Sequence, residues 1–150
     1  MAKREMIQVD GNEEWGLNVS ETVGIGGRNK RGDVMLIQAM FRYIVKSGRE
    51  SLVGVSSIDE LPQVDGNYDG RLGHLILNYQ RNNRERLLNI DGVIHPASYQ
   101  NREIKDKGIY PLMTMTLLHW HTFITANVAL GADYTTAFLN EFPSLRAWVR

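Results

Sequence analysis

The sequence predicts a mainly α-helical protein, with a compact three-helix core and additional helices in the C-terminal third. Apolar residues recur at helical spacing in 34–45 and again in 72–79. Asp-Gly turn clusters at 65–70 and 91–92 flank the second of these segments. A third apolar segment, 111–130, contains no charged residue. With 150 residues in total, these elements fit one compact domain.

The first predicted helix comes after a glycine-rich stretch at 23–29. We expect Asp33 to be its N-cap, since a short carboxylate can accept the free backbone N–H groups of a first turn. Ser47-Gly48 is expected to end it. The apolar stripe consists of Val34, Ile37, Phe41, Ile44 and Val45.

The second predicted helix comes after the turn at Asp65–Gly70 and ends at Asn82-Asn83. Its apolar side consists of Leu72, Leu75, Ile76 and Tyr79. The turn chemistry returns at Asp91-Gly92, and Ser98 is placed to start a further short helix.

The two ends of the chain carry weaker patterns. Residues 1–22 are expected to be an irregular or short-strand lead-in, with Trp15 packed onto the domain. The stretch 112–130 fits both a helical stripe and a strand-like alternation, and its length favours a helix. We expect one or two short helices after it, broken at Pro143.

Composition excludes several classes of protein. Seventeen basic residues balance seventeen acidic ones, which argues against a nucleic-acid partner and against a polybasic membrane surface. Without cysteine there is no disulfide, thiolate metal site or Cys nucleophile. The uncharged segment 111–130 holds four Thr, two His and an Asn, which favours a buried core element over a membrane span.

The N-terminus shows no apolar stretch of the kind found in signal peptides, because residues 7–22 are interrupted by polar residues. We therefore expect the chain to be cytoplasmic as synthesised, and a non-classical export route to the cell envelope stays open.

Several linked motifs resemble the peptidoglycan-binding domain-like family, whose members are small three-helix modules attached to cell-wall hydrolases. The motifs, in order, are Gly26-Gly27-Arg28-Asn29, Asp33-Val34 with Gln38, Val64-Asp65-Gly66, Ile76 with Tyr79-Gln80, and Ile90-Asp91-Gly92-Val93-Ile94 with Pro96. The match covers residues 23–98, about half of the chain. One departure is that Asp69-Gly70-Arg71-Leu72 stands where the family has Gly-Pro-x-Thr, so the Thr cap is missing.

The resemblance implies an N-terminal extension (1–22), a helical core (23–102) and a C-terminal helical extension packed on that core (103–150). It also implies a non-catalytic module that binds peptidoglycan or a muropeptide, with no cofactor. Such a ligand calls for aromatic surfaces, amide groups and arginines in a shallow groove between the two turn-helix units. The candidate ligand-binding residues are Tyr68, Arg71, Gln80, Arg81 and Tyr99. For Gln80, capping of a helix end is the alternative.

A second hypothesis is a protein-interaction or structural component of a phage or secretion assembly that reuses the same scaffold. Its interface would lie in the C-terminal segment, at Phe138, Phe142, Trp148 and Val149. A hydrolase with an unrecognised site is a third, although no catalytic constellation is present: no serine lies in a Gly-x-Ser-x-Gly motif.

Metal sites have weak support in the sequence. Asp65, Asn67 and Asp69 coincide with alternate ligand positions of a calcium-binding loop, but Ile76 stands where the bidentate Glu should be. We expect a structural turn there. His119 and His121 are two residues apart, so a helix would direct them to different sides, and ordinary interior or surface histidines are expected.

Overall fold

The structure, a computed structural model, describes residues 1–9, 11–97, 103–104, 112–126 and 133–150. The protein is mainly α-helical, as predicted, with small sheets. Its strands are β1 (Lys3–Val9), β2 (Asn12–Asn18), β3 (Val23–Gly24), β4 (Val93–Ile94) and β5 (Glu103–Ile104). Its α-helices are α1 (Arg31–Lys46), α2 (Glu50–Val53), α3 (Gly70–Asn82), α4 (Thr114–Ala126) and α5 (Tyr134–Glu141). Single 3₁₀ turns lie at Ile58–Glu60, Arg84–Arg86 and Pro143–Leu145.

The N-terminal segment is a β-hairpin, so of the two alternatives expected for residues 1–22 the strand is right and the irregular lead-in is wrong. Strands β1 and β2 pair antiparallel with Met6 opposite Trp15, and β1 also pairs with β5 in the order β2-β1-β5. Leu17 is fully buried, and β2 packs against α4 and α5. Trp15 remains 38% exposed, with the guanidinium of Arg4 4.2 Å from its ring centre. The hairpin is therefore part of the domain core.

Helix α1 begins at Arg31, two residues before Asp33. Asp33 is therefore not its N-cap, and that prediction is wrong. Its buried carboxylate accepts hydrogen bonds from the backbone N–H groups of Ser20 and Glu21 and from the Ser20 hydroxyl. Asp33 thus joins the first turn of α1 to the end of the hairpin. The helix ends at Lys46 with Ser47 as its C-cap, as predicted.

Helix α3 is capped by Asp69, whose Oδ1 atom accepts the backbone N–H groups of Arg71 and Leu72 at 3.0 and 3.1 Å. An aspartate thus supplies the cap that the missing threonine would give. The predicted apolar side is buried, and the helix ends at Asn82 as predicted. The short helix expected from Ser98 lies outside the described residues.

The C-terminal segment whose pattern fits both helix and strand forms helix α4, so the prediction based on its length is confirmed. It packs against α1. Within the described ranges, no helix has the length and apolar character needed to cross a membrane.

Of the C-terminal apolar residues expected to supply an interface, Phe138 is fully buried and therefore not available, whereas Phe142, Trp148 and Val149 are partly buried, so an interface at these three stays a prediction. Phe138 is fully buried and makes an edge contact with Tyr43, with ring centres 5.3 Å apart. Phe142 also packs against Tyr43. Partly buried Trp148 lies against Gly32, and Val149 forms a β-bridge with Ala2.

Candidate functional site

The Asp65-Gly66 turn is held by the side chain of Gln38 from α1. The Gln38 Oε1 atom accepts the backbone N–H groups of Asp65 and Gly66 at 3.1 and 2.9 Å. Its Nε2 atom donates to Asp65 Oδ1 at 3.0 Å and to the carbonyl of Asn67 at 3.2 Å. Gly66 has a φ of +76°, which glycine adopts at little cost. We call this arrangement the first glutamine clamp.

The Asp91-Gly92 turn is held in the same way by Gln80 from α3, forming the second glutamine clamp. Gln80 Oε1 accepts the N–H groups of Asp91 and Gly92 at 3.1 and 2.7 Å. Gln80 Nε2 donates to Asp91 Oδ1 and to the carbonyl of Val93. A further hydrogen bond of 3.0 Å from Nε2 reaches the hydroxyl of Thr114 in α4.

The second clamp corrects one of the predicted ligand contacts. Gln80 is fully buried, and both polar atoms of its carboxamide are bound within the protein. It is therefore not available to a ligand, and it does not cap a helix end either, because its side chain holds the Asp91-Gly92 turn from within α3.

Asn29, the last residue of the Gly-Gly-Arg-Asn motif, also has a structural role. Its Oδ1 atom accepts the backbone N–H of Gly24, and its Nδ2 atom donates to the carbonyls of Gly24 and Gly27. The conspicuous polar residues of the sequence pattern thus build loops and turns.

The candidate calcium residues serve the turn and the helix cap. Asp65 Oδ1 accepts the backbone N–H of Asn67 at 2.9 Å, and this bond is the main reason that the pKa of Asp65 is lowered. Asp69 Oδ1 is engaged by the first turn of α3. In the part of the chain that the structure describes, no group of three or more His, Cys, Asp or Glu side chains could hold a metal ion.

Tyr68 and Ile25 lie together over Gly73, where the two turn-helix units meet. A Cβ atom at Gly73 would lie 2.5 Å from Tyr68 Oη and 3.3 Å from Ile25 Cγ1, so glycine permits this close approach. Ile25 is 52% exposed and Tyr68 is half-buried. Burial, with the nearby Asp69 carboxylate, raises the pKa of the Tyr68 hydroxyl, which is therefore neutral at physiological pH.

The exposed side of α3 runs beside this pair. His74 and Asn78 are exposed and four residues apart, on one side of the helix. Arg71 is exposed on the same helix and donates from Nη2 to the carbonyl of Asp59 at 2.9 Å. Helix α3 contains no acidic residue. We call the surface formed by Ile25, Tyr68, Arg71, His74 and Asn78 the α3 face.

A cavity of about 500 Å³ opens at the C-terminal end of α3. Arg81, the fourth predicted ligand residue, lines it. The other lining residues are Ser51, Leu52, Asn82, Asn83, Arg84, Glu85 and Arg86. Ten residues of helix separate Arg71 from Arg81, a rise of about 15 Å. Arg81 therefore belongs to this cavity, which we call the arginine cavity, rather than to the α3 face.

The predicted ligand residues did not include Ile25, His74 and Asn78 of the α3 face, nor Arg84 and Arg86 of the arginine cavity. The sequence does offer a sign for two of them. Ile25 is an apolar residue between two glycines, Gly24 and Gly26, and Arg84 belongs to a segment, 81–86, that contains three arginines. Tyr99, the fifth predicted residue, lies outside the described residues.

Beneath these surfaces, two buried histidines pair with tyrosines on opposite sides of α4. His121 Nδ1 lies 2.8 Å from Tyr79 Oη, and His119 Nδ1 lies 2.5 Å from Tyr134 Oη. Burial lowers the pKa of His119 to about 3. Burial, with the positive charges of Arg86 and Arg49, lowers the pKa of His121 to about 4. Both rings are neutral core residues near pH 7.

No known protein family, curated protein or solved structure is significantly similar to this chain.

Proposed function

We propose that this protein is a non-catalytic module that binds peptidoglycan. The observation that carries the proposal is the pair of glutamine clamps. The motifs that resemble the peptidoglycan-binding family contact one another in space, Gln38 with Asp65-Gly66 and Gln80 with Asp91-Gly92. A repeated turn-helix scaffold of this kind is what the resemblance implies.

The three-helix core that the resemblance implies is part of this proposal. Helices α1 and α3 supply two of its members. The third would start at Ser98, beyond the described residues.

The α3 face is the surface that we assign to the wall polymer. A sugar ring can pack against the half-buried ring of Tyr68 and the exposed side chain of Ile25. The amide of Asn78 and the guanidinium of Arg71 can pair with the amides and carboxylates of the peptide part. Residues 70–82 of α3 contain no carboxylate, and the carboxylate of its N-cap Asp69, which lies near Tyr68, is engaged by the backbone N–H groups of Arg71 and Leu72.

Sedimentation with purified sacculi tests the proposal. We expect the wild-type protein to pellet with the sacculi, and Tyr68→Ala to reduce the bound fraction several-fold. Met6→Ala is the matched control, since Met6 is an exposed apolar residue on the N-terminal hairpin. Thermal unfolding of each variant verifies that it is folded. A wild-type protein that stays in the supernatant beside a wall-binding control would refute the proposal, and a self-assembled oligomer would then favour the structural-component hypothesis.

A further inference from the structure

We propose that the arginine cavity is a binding site for a free carboxylate group next to an N–H donor, as at the C-terminus of a peptide. This site is separate from the α3 face and does not depend on the proposed function. Its volume of about 500 Å³ falls within the range of small-molecule sites.

The charge of the cavity favours an anion. The lining contains three arginines, Arg81, Arg84 and Arg86, and one acidic residue, Glu85, although the protein as a whole has no net charge. Within the described residues, neither Arg81 nor Arg84 forms a salt bridge. Guanidinium groups bind carboxylates through paired, charge-assisted hydrogen bonds.

The cavity wall is held in place by two asparagines that bridge α3 to α2. Asn82 Nδ2 donates to the carbonyl of Ser51 at 2.6 Å, and Asn83 Nδ2 donates to the carbonyls of Leu52 and Tyr79 at 3.0 and 2.9 Å. The backbone N–H of Asn83 also donates to the carbonyls of Tyr79 and Gln80 at 3.1 and 3.2 Å, which fixes the end of α3. A preorganised wall lowers the entropy cost of binding.

The same asparagines provide acceptors beside the arginines. Because each Nδ2 atom is used in the bridge, each Oδ1 atom is the remaining polar atom of its amide. None of the described residues donates a hydrogen bond to these two Oδ1 atoms. Donors for a carboxylate next to acceptors for an N–H match a peptide terminus better than inorganic phosphate, which offers mainly acceptors.

The buried His121 provides a readout from beneath the cavity. The positive charges of Arg86 and Arg49 both lower the pKa of His121. The groups that face His121 also include its hydrogen-bond partner Tyr79. A bound anion would offset part of the positive electrostatic potential of the arginines, so the pKa of His121 should rise when the anion occupies the cavity.

Titration followed by NMR tests the assignment with three probes: N-acetyl-alanylalanine, its C-terminal amide, and inorganic phosphate. We expect the free acid to bind, and both the amide and the phosphate to bind about tenfold more weakly. The Arg81→Ala/Arg84→Ala double variant should lose about tenfold in affinity for the acid. Arg28→Ala, which removes an exposed arginine elsewhere, should stay within about twofold. At equal probe concentrations below saturation, the pKa of His121 should rise more with the acid than with the amide or with phosphate.

Equal binding of acid and amide, phosphate binding as tight as that of the acid, or an unaffected double variant would overturn the proposal. So would the absence of binding at millimolar acid. Arg84→Lys keeps the charge but not the paired geometry, so it should weaken binding even if the double variant is poorly folded. Sacculus binding through Tyr68 is measured separately, so each proposal can fail without the other.

Discussion

Gln80 donates a hydrogen bond from Nε2 to the hydroxyl of Thr114 at 3.0 Å, while its Oε1 atom holds the turn at Gly92. Gln38 makes the equivalent hydrogen bonds to its turn, and among the described residues it has no side-chain hydrogen bond to α4. The second glutamine clamp therefore also fastens the motif-bearing part of the chain to the C-terminal third.

Replacing either clamp glutamine by leucine should destabilise the protein, because buried N–H and carbonyl groups of the turn lose their partners. We expect Gln80→Leu to lower the free energy of unfolding by about 3 kcal/mol and Gln38→Leu by about 2 kcal/mol. Gln63→Leu, at an exposed position, should change it by less than about 0.5 kcal/mol. Urea unfolding measures all three. If Gln80→Leu were as mild as Gln63→Leu, the clamp would have no energetic role.

Gly66 should be far less tolerant of alanine than another glycine of the same conformation. Gly48 has a φ of +82° with no atom near a Cβ, so Gly48→Ala isolates the backbone cost, about 1 kcal/mol. At Gly66 a Cβ would also meet the side chains of Arg31 and Met35 and the carbonyl of Arg31. We expect Gly66→Ala to cost a further 1–2 kcal/mol or so. Equal midpoints in urea for the two variants would contradict the tight turn.

Stability should decrease in mild acid because of the two buried histidines. In the unfolded chain a histidine titrates near pH 6.5, whereas the folded-state pKa values are about 3 for His119 and about 4 for His121. Below pH 6.5 the unfolded state therefore binds protons that the folded state does not. Each histidine should lower the free energy of unfolding by up to about 1.4 kcal/mol per pH unit until its folded-state pKa is reached.

Urea unfolding between pH 8 and pH 4 measures this dependence. His121→Gln should reduce the slope below pH 6.5 by about half, since one of the two groups is removed. The exposed His74 provides the control, His74→Gln, which should keep the full slope. A free energy of unfolding that stays constant from pH 7 to pH 5 would be incompatible with two buried neutral histidines.

Loss of the α3 cap should have a moderate cost. We expect Asp69→Ala to lower the free energy of unfolding by about 1 kcal/mol, since two backbone N–H groups lose their acceptor. Asp59→Ala, an exposed aspartate nearby, serves as the control and should have a small effect. Thermal unfolding compares them. A larger loss for Asp59→Ala would mean that Asp69 is not the functional cap.

The sequence was informative where local chemistry decides structure. The apolar stripes of α1 and α3 and the Asp-Gly turns follow from spacing and turn propensity, and the length of 112–130 was enough to choose a helix. The pairing of the two N-terminal strands was not predicted. The exposed side chains of Met6 and Trp15 are apolar, so the sequence lacks the regular alternation of apolar and polar residues that marks a half-buried strand. The Asp-Gly dipeptide at 10–11 is the feature of the sequence that indicates a hairpin turn here.

The site was harder to predict than the fold. Gln80 is a residue type that binds ligands, and only its burial against Asp91 and Gly92 reveals its structural role. Asp33 resembled a cap because its distant partners, Ser20 and Glu21, cannot be read from local sequence. Tyr68 and Arg81 were predicted to share one groove, but Tyr68 lies on the α3 face and Arg81 lines the arginine cavity.

NMR chemical-shift mapping with solubilised muropeptides tests the assignment of wall binding to the α3 face most directly, because it separates the binding surface from the scaffold. We expect resonances of Ile25, Tyr68 and His74 to shift on titration, while the side-chain amides of Gln38 and Gln80 stay unchanged. Shifts confined to other surfaces, or none at millimolar muropeptide, would contradict that assignment.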